Sequence, residues 1–590
     1  MAETSQIKVL DTGGQYCHLI ARKVRELGVS SEVVRSDVPA ESLRGSRALI
    51  ISGGPSSVYD AGSPTVDPAI FALGIPVLGI CYGQQLMAQA LGGQVTPGHK
   101  GEYGLALLRH APDTGKLLHA TGDQQQIWMS HRDVVSRVPA GFRITAETAT
   151  CPIAGMEDGQ RRLFGIQFHP EVVHTTAGRQ ILSNFLFSIS GCQSDWEPRQ
   201  RIELIEQQIR ETVRDRNVFF FVSGGVDSTV AFTLCVRALG AHRVHGVYVD
   251  TGLMRTGETE MVRAMFATLD HDAVSVEDAQ QEFVGALAEA HEPEQKRKII
   301  GEAFVAVQDR IIRQRHLLDG HWILGQGTIY PDTIESGGTA HAAVIKTHHN
   351  RVAGIQKLID DGQIVEPLSS FYKDEVRAIG RELGLPAEFL DRHPFPGPGL
   401  AIRCLCSAAD APLERVPEGF IVPVKTVGVQ GDSRSYAHVL VLDRFPAVAD
   451  RLQDAATEIV NAVPSVNRVV ARVAGDVPLE QTQVFTSAIT PPRLERLRAA
   501  DALVRRLSLE GHFEQQVWQF PVVLIPVGTA ARPDSVVLRP IDSTDGMTAE
   551  SVAMPDALLH RMAGELLRLE GISTVFYDLT HKPPATIEWE

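Results

Sequence analysis

Pro76-Val77-Leu78-Gly79-Ile80-Cys81-Tyr82-Gly83 is an apolar run that ends on a cysteine between glycines, and residues 84–91 continue with helical periodicity. Strand, tight turn and helix in that order form the local unit of an open α/β fold. A G-x-C-x-G at such a corner lifts the thiol above the sheet, as the G-x-S-x-G elbow lifts a serine. The helix start sets a positive dipole end beside the sulfur and offers backbone N–H groups to an oxyanion. Working outward, strand-like runs such as Ile7-Lys8-Val9-Leu10 and Ala48-Leu49-Ile50-Ile51 alternate with helical stretches from residue 7 to about 190. The pattern predicts a parallel sheet with crossover helices.

A cysteine nucleophile needs a base, and the base needs an orienting partner. Phe168-His169-Pro170-Glu171 follows the strand-like residues 163–167 and supplies both. Alternate residues of an extended stretch point the same way, so Glu171 can brace the His169 imidazole. Gly53-Gly54-Pro55, after another strand, can add an oxyanion N–H. A buried cysteine after a strand is more often packing, and a lone histidine is usually structural. Three such pieces at strand ends of one domain favour a site.

A polar stretch at 190–199 reads as a linker, and an amphipathic helix over about 200–216 leads into a second α/β unit. Its first strand, Val218-Phe219-Phe220-Phe221-Val222, runs directly into Ser223-Gly224-Gly225-Val226-Asp227-Ser228-Thr229 and an apolar helix. The glycines let backbone N–H groups approach an anion, and the helix N-terminus adds its positive end. Asp227 is a poor neighbour for phosphate unless it works through Mg2+. No lysine follows the second glycine, so this is not a Walker loop. Val249-Asp250-Thr251-Gly252 closes the next strand, where a second loop can meet the nucleotide. Lys373 is either a contact for the leaving pyrophosphate or a solvated helix lysine.

Pro394-Phe395-Pro396-Gly397-Pro398-Gly399 then forbids regular structure. Residues 405–590 hold an apparent duplication: strand 437–442, helix 447–462 and strand 468–473, then strand 535–538, helix 555–570 and strand 574–579. Two such β-α-β units can pair their sheets within one chain. The alternative is two unrelated α+β units.

The chain has 590 residues, enough for about three domains, and 44% of them are hydrophobic. A formal charge of −15 argues against gripping a nucleic-acid backbone. Seven scattered cysteines without metal-type spacing suggest reduced thiols. No secretory leader is evident and no apolar run nears the ~20 residues of a membrane helix, so a soluble, cytoplasmic protein is expected.

Residues 7–190 resemble the class I (triad) glutamine amidotransferases. The resemblance implies Cys81 as nucleophile, His169 as general base and Glu171 as third member. It adds the Tyr82 N–H in the oxyanion hole, with Gly53 and Gly54, and Gln85 near the glutamine. Lys100-Gly101-Glu102-Tyr103-Gly104 lacks the arginine that the family pattern has before the glutamate. Residues 223–229 resemble the PP-loop of ATP pyrophosphatases, which cleave ATP between its α and β phosphates and adenylylate an oxygen. Ammonia beside an adenylylated acceptor has one evident purpose, amination. Ile345-Lys346-Thr347-His348-His349-Asn350, the run His393–Arg403, Val427-Gly428-Val429-Gln430-Gly431-Asp432 and Lys582-Pro583-Pro584-Ala585-Thr586-Ile587-Glu588-Trp589-Glu590 look like the GMP synthetase family. That resemblance implies a C–N-forming ligase using xanthosine monophosphate (XMP), Mg-ATP and glutamine. It implies XMP contacts at Arg297, Asp432, Gln519, Lys582 and Glu588, and a lid at Lys346. The expected division is amidotransferase over 1–195, PP-loop pyrophosphatase over 200–405 and a duplicated α+β domain of the XMP-binding and dimerisation type over 406–590. The duplication resembles a long form in which the extra unit takes a partner's place, so monomer and homodimer both stand. A PP-loop tRNA thiolase needs a basic face, which the net charge opposes. A regulatory protein without chemistry predicts a broken triad or loop, and both are intact.

Overall fold

Val77–Ile80 is buried at every residue, as are Ala48–Ile51 and Leu163–Ile166. A strand covered on both faces carries no polar alternation, which is the mark of the inside of a parallel sheet. The computed structural model describes residues 5–590 except 15, 98–101, 113, 173, 268–273, 331–357, 359–360, 394, 431–432, 444–455, 457, 461, 464 and 544–548. The chain divides into two units, Met1–Arg201 and Ile202–Glu590.

Among the described residues, the first unit is built on a nine-stranded sheet. Its spatial order is Ser31–Arg35, Ile7–Asp11, Ala48–Ile51, Val77–Ile80, Leu163–Ile166, Gly155–Asp158, Arg143–Glu147, Glu102–His110 and Gln124–His131. The first five pair in parallel, as expected. The remaining four continue the sheet antiparallel, which the apolar runs do not announce. Alternate residues feed two cores: Ile50, Leu78 and Ile80 one, Leu49, Ile51 and Val77 the other.

The second unit contains a five-stranded, wholly parallel sheet in the order Val274–Asp278, Val244–Asp250, Asn217–Val222, Trp322–Gly325, Ile364–Val365. Asn217–Val222 lies at its centre, where the order reverses. The crevice beyond the carboxyl end of that strand is where open α/β sheets bind ligands.

The same unit contains a seven-stranded sheet in the order Glu414–Val416, Gly419–Gln430, Ser433–Leu442, Val466–Gly475, Ile572–Asp578, Asp534–Leu538, Val522–Ile525. Ser433–Leu442 pairs in parallel with Val466–Gly475, and Asp534–Leu538 pairs in parallel with Ile572–Asp578. The two pairs meet antiparallel, Arg472 opposite Phe576. The second pair with its crossover is the β-α-β unit expected from the sequence, and the two pairs share one sheet about a local two-fold. Asp556–Leu566 is the crossover helix of the second copy; most of the first copy's crossover, 447–462, lies outside the described residues. Val247, Leu253, Phe283 and Leu400 share one core with Leu440, Val469, Leu524 and Val575. The five- and seven-stranded sheets of this unit therefore pack around a shared core that includes Leu400 at the end of the proline- and glycine-rich passage.

Candidate active sites

Cys81 sits at φ 53° and ψ −107° on the corner between Val77–Ile80 and the helix Tyr82–Ala90. A positive φ at a non-glycine residue costs on the order of 1–3 kcal/mol and is held by its surroundings. The flanking glycines supply that hold. A Cβ on Gly79 would lie 2.5 Å from the Gly83 carbonyl oxygen, and one on Gly83 2.3 Å from that of Ile51. Tyr82 opens the helix, a position whose N–H no helical turn uses.

His169 Nδ1 lies 2.7 Å from Glu171 Oε1, with both side chains buried. Burial alone would lower the histidine pKa, but the Glu171 charge and the Cys81 sulfur outweigh it and hold the imidazolium well above the ordinary range. Gly53 is the close approach: a Cβ there would be 3.0 Å from His169 Cε1 and 3.4 Å from Cys81 Cβ. A cavity of about 650 Å³ opens here, lined among others by Gly53, Gly54, Cys81, Tyr82, Gln85 and His169. Gln85 Nε2 donates to the Asp133 carbonyl at 2.8 Å, so it fixes the wall. Residues not singled out in the sequence join them. Gln167 Nε2 reaches Cys81 Sγ at 3.5 Å, and Sγ lies 3.7 Å from the Ser130 carbonyl oxygen. Tyr16 meets the His169 ring edge-on at 5.1 Å. Met129-Ser130-His131-Arg132-Asp133, at another strand end, was the legible signal for the Ser130 wall.

In the second unit the turn 223–225 links the central strand to the helix Val226–Leu239, with Gly224 at φ 70°. Ser223 Oγ accepts from Gly225 N at 3.2 Å, and Ser228 Oγ donates to the Gly225 carbonyl at 3.1 Å. Lys373, the first residue of the helix Lys373–Glu382, forms an ion pair with Asp227. Asp227 Oδ1 and Thr229 Oγ1 are buried without a hydrogen-bond partner among the described residues. Arg392 donates to the Gly224 carbonyl and pairs with Glu258 at 3.2 Å. It was missed, although it directly precedes the His393 run.

The tail lies against the helix Pro293–Gln314 on one side and strands of the seven-stranded sheet on the other. Arg403, fully buried, grips Glu588 through two hydrogen bonds of 2.8 and 2.6 Å. Burial would raise the Glu588 carboxyl, but the Arg403 charge and hydrogen bonds hold it below the usual range. Arg297 donates to the Glu590 carbonyl oxygen, and Lys296 pairs with the Glu590 carboxylate at 2.6 Å. Gln519 Oε1 is buried without a partner among the described residues, and Lys582 pairs through its backbone with Ala549. Asp432 and Lys346 lie outside the described residues. Arg468 and Arg539, one from each copy, meet on Asp578 at 3.0 and 2.7 Å. Arg468 also donates to the Glu588 carbonyl at 2.7 Å, and Arg539 to that of Ile587 at 3.0 Å.

Family models match three segments: glutamine amidotransferase class-I over residues 8–189, NAD synthase over 198–306, and the GMP synthase C terminal domain over 508–589. A probable glutamine-hydrolysing GMP synthase of Leptospira interrogans is 41% identical over 605 aligned positions, covering 99% of each chain. The corresponding enzyme of Thermobifida fusca is 40% identical, over 99% of this chain and 98% of its own. That of Symbiobacterium thermophilum is 45% identical, over 80% of this chain and 98% of its own.

Proposed function

The chain belongs to the glutamine-hydrolysing GMP synthase family, and from that premise we propose how its residues divide the work. The enzyme is a ligase with a glutamine amidotransferase region and an ATP pyrophosphatase region. In the first unit Cys81 attacks the side-chain amide of glutamine as a thiolate, with His169 holding the proton it gives up and later passing it to the departing ammonia. Water then cleaves the Cys81 thioester, releasing glutamate and restoring the thiolate. Glu171 orients and charges the imidazole. The Tyr82 and Gly53–Gly54 N–H groups face the oxyanion, with Gln85 shaping the glutamine cavity. The observation that carries this reading is Cys81 at positive φ in a cavity it shares with a buried His169–Glu171 pair.

In the second unit residues 223–229 cradle the ATP phosphates. Lys373 moves from Asp227 to the leaving pyrophosphate. The Mg2+ that accompanies ATP fits Asp227, whose buried Oδ1 has no partner among the described residues. Asp227 would hold the ion together with the nucleotide phosphates. When bound, the ion neutralises phosphate charge. The C2 oxygen of XMP takes the adenylyl group from ATP, and ammonia then displaces AMP to give GMP. Arg297, Asp432, Gln519, Lys582 and Glu588 serve XMP, and Lys346 serves as the lid residue. The support is a half-buried Glu588 carboxyl held below its usual range by Arg403, and a Gln519 amide oxygen buried without a partner among the described residues. The sheet shared by two copies favours a monomer over a homodimer. Seven unpaired, buried cysteines favour the cytoplasm, which fractionation against a cytosolic marker tests.

The discriminating experiment follows AMP, pyrophosphate and GMP with XMP, Mg-ATP and either glutamine or ammonium. Cys81→Ala is expected to abolish glutamine use and spare ammonium-dependent synthesis. Asp227→Ala is expected to remove synthesis from both nitrogen sources. No GMP from either source with the unaltered enzyme ends the proposal.

A further inference from the structure

Free glutamine carries an α-carboxylate and an α-ammonium that simple amides lack, and an enzyme that rejects such amides must read those charges. Of the described residues lining the Cys81 cavity, Arg132 is the one lysine or arginine. It is exposed and has no hydrogen-bond or ion-pair partner among the described residues. His131, the neighbouring cavity residue, is already engaged: its Nδ1 is 3.1 Å from the Asp133 carbonyl oxygen and its Nε2 3.4 Å from Glu102.

The spacing suits the substrate. Cys81 Sγ lies 3.7 Å from the Ser130 carbonyl oxygen, which places residue 130 at the nucleophile. Arg132 is two residues further on, at most about 7 Å along the chain. Four carbon–carbon bonds of about 1.5 Å separate the reacting amide carbon of glutamine from its carboxylate carbon, roughly 5 Å extended. The segment that carries Arg132 is also fixed. Gln85 Nε2 holds the Asp133 carbonyl at 2.8 Å, and Ser57 Oγ donates to the Asp133 carboxylate at 2.5 Å. Asp60 and Asp133 also line the cavity and offer negative charge to the ammonium.

We infer that Arg132 is the specificity-determining residue that takes the α-carboxylate of glutamine, through the paired N–H groups of its guanidinium. The inference rests on the reading of the Cys81 cavity as the glutamine site.

The test compares glutamine with 4-aminobutanamide, the same amide without its carboxylate, on the full chain. Arg132→Ala is expected to lower kcat/KM for glutamine by roughly 10- to 100-fold and to leave that for 4-aminobutanamide unchanged. Arg132→Lys is expected to recover part of the loss. A second readout needs no turnover: iodoacetamide should alkylate Cys81 of Arg132→Ala at the unaltered rate, while protection by glutamine requires roughly 10-fold more of it or beyond. Equal loss on both amides, or undiminished protection by glutamine, overturns the inference. Failure of the cavity reading itself is separate, since the unaltered enzyme would then release no glutamate in a Cys81-dependent way.

Discussion

Glu171 has a single measurable task if it charges the His169 imidazole. The folded pKa of His169 is raised, so its contribution to stability is complete below the ordinary value near 6.5 and is lost as pH rises through the raised value. Glu171→Gln removes the carboxylate charge and should bring the His169 midpoint down by roughly one unit or more. NMR titration of the imidazole, assigned through His169→Gln, reads this directly, and an unmoved midpoint excludes the role. At this scale Cys81, His169 and Glu171 were legible because each lies at a strand end beside glycine or proline. Arg403 was not, because a lone arginine after an apolar run shows nothing of Glu588, which lies 185 residues away and meets it at 2.6 Å.

Single elements were legible wherever one period governed them. Val218–Val222 and Val77–Ile80 are continuous apolar runs and became largely buried strands. The antiparallel half of the first sheet was not foreseen, since partner and direction are tertiary choices that residues 102–158 do not encode locally. The strand Val466–Gly475 carries the instructive case. Arg468 interrupts an apolar strand yet is wholly buried, because Asp578 and the tail carbonyls satisfy it. Arg468→Met leaves those acceptors short of donors and should cost about 3–5 kcal/mol in denaturant unfolding. Burial would raise the Asp578 carboxyl, but Arg539 and Arg468 hold it below 3.8. Its contribution is thus present above pH 3.8 and lost as pH falls through the depressed value. The unfolding midpoint should therefore lose this cluster's support only below about pH 4.

For the whole molecule, two units divide at Arg201, and the second holds its five- and seven-stranded sheets around one core. Residues 202–590 alone should therefore fold and make GMP from ammonium. They should also elute with the mass of one chain in size-exclusion chromatography with light scattering. A fragment that folds but is inert with ammonium, or a two-chain mass, contradicts that expectation. The duplication was visible in the sequence as two similar runs of elements. That they join edge to edge at the seam between Val466–Gly475 and Ile572–Asp578 required the structure. In a symmetric dimer every substitution at the axis is made twice, so a change that helps one side must be tolerated on the other. Here the halves flanking the seam are encoded separately. Each can drift on its own, one keeping Arg468 for the tail while the other keeps Arg539, and neither is bound to mirror its counterpart.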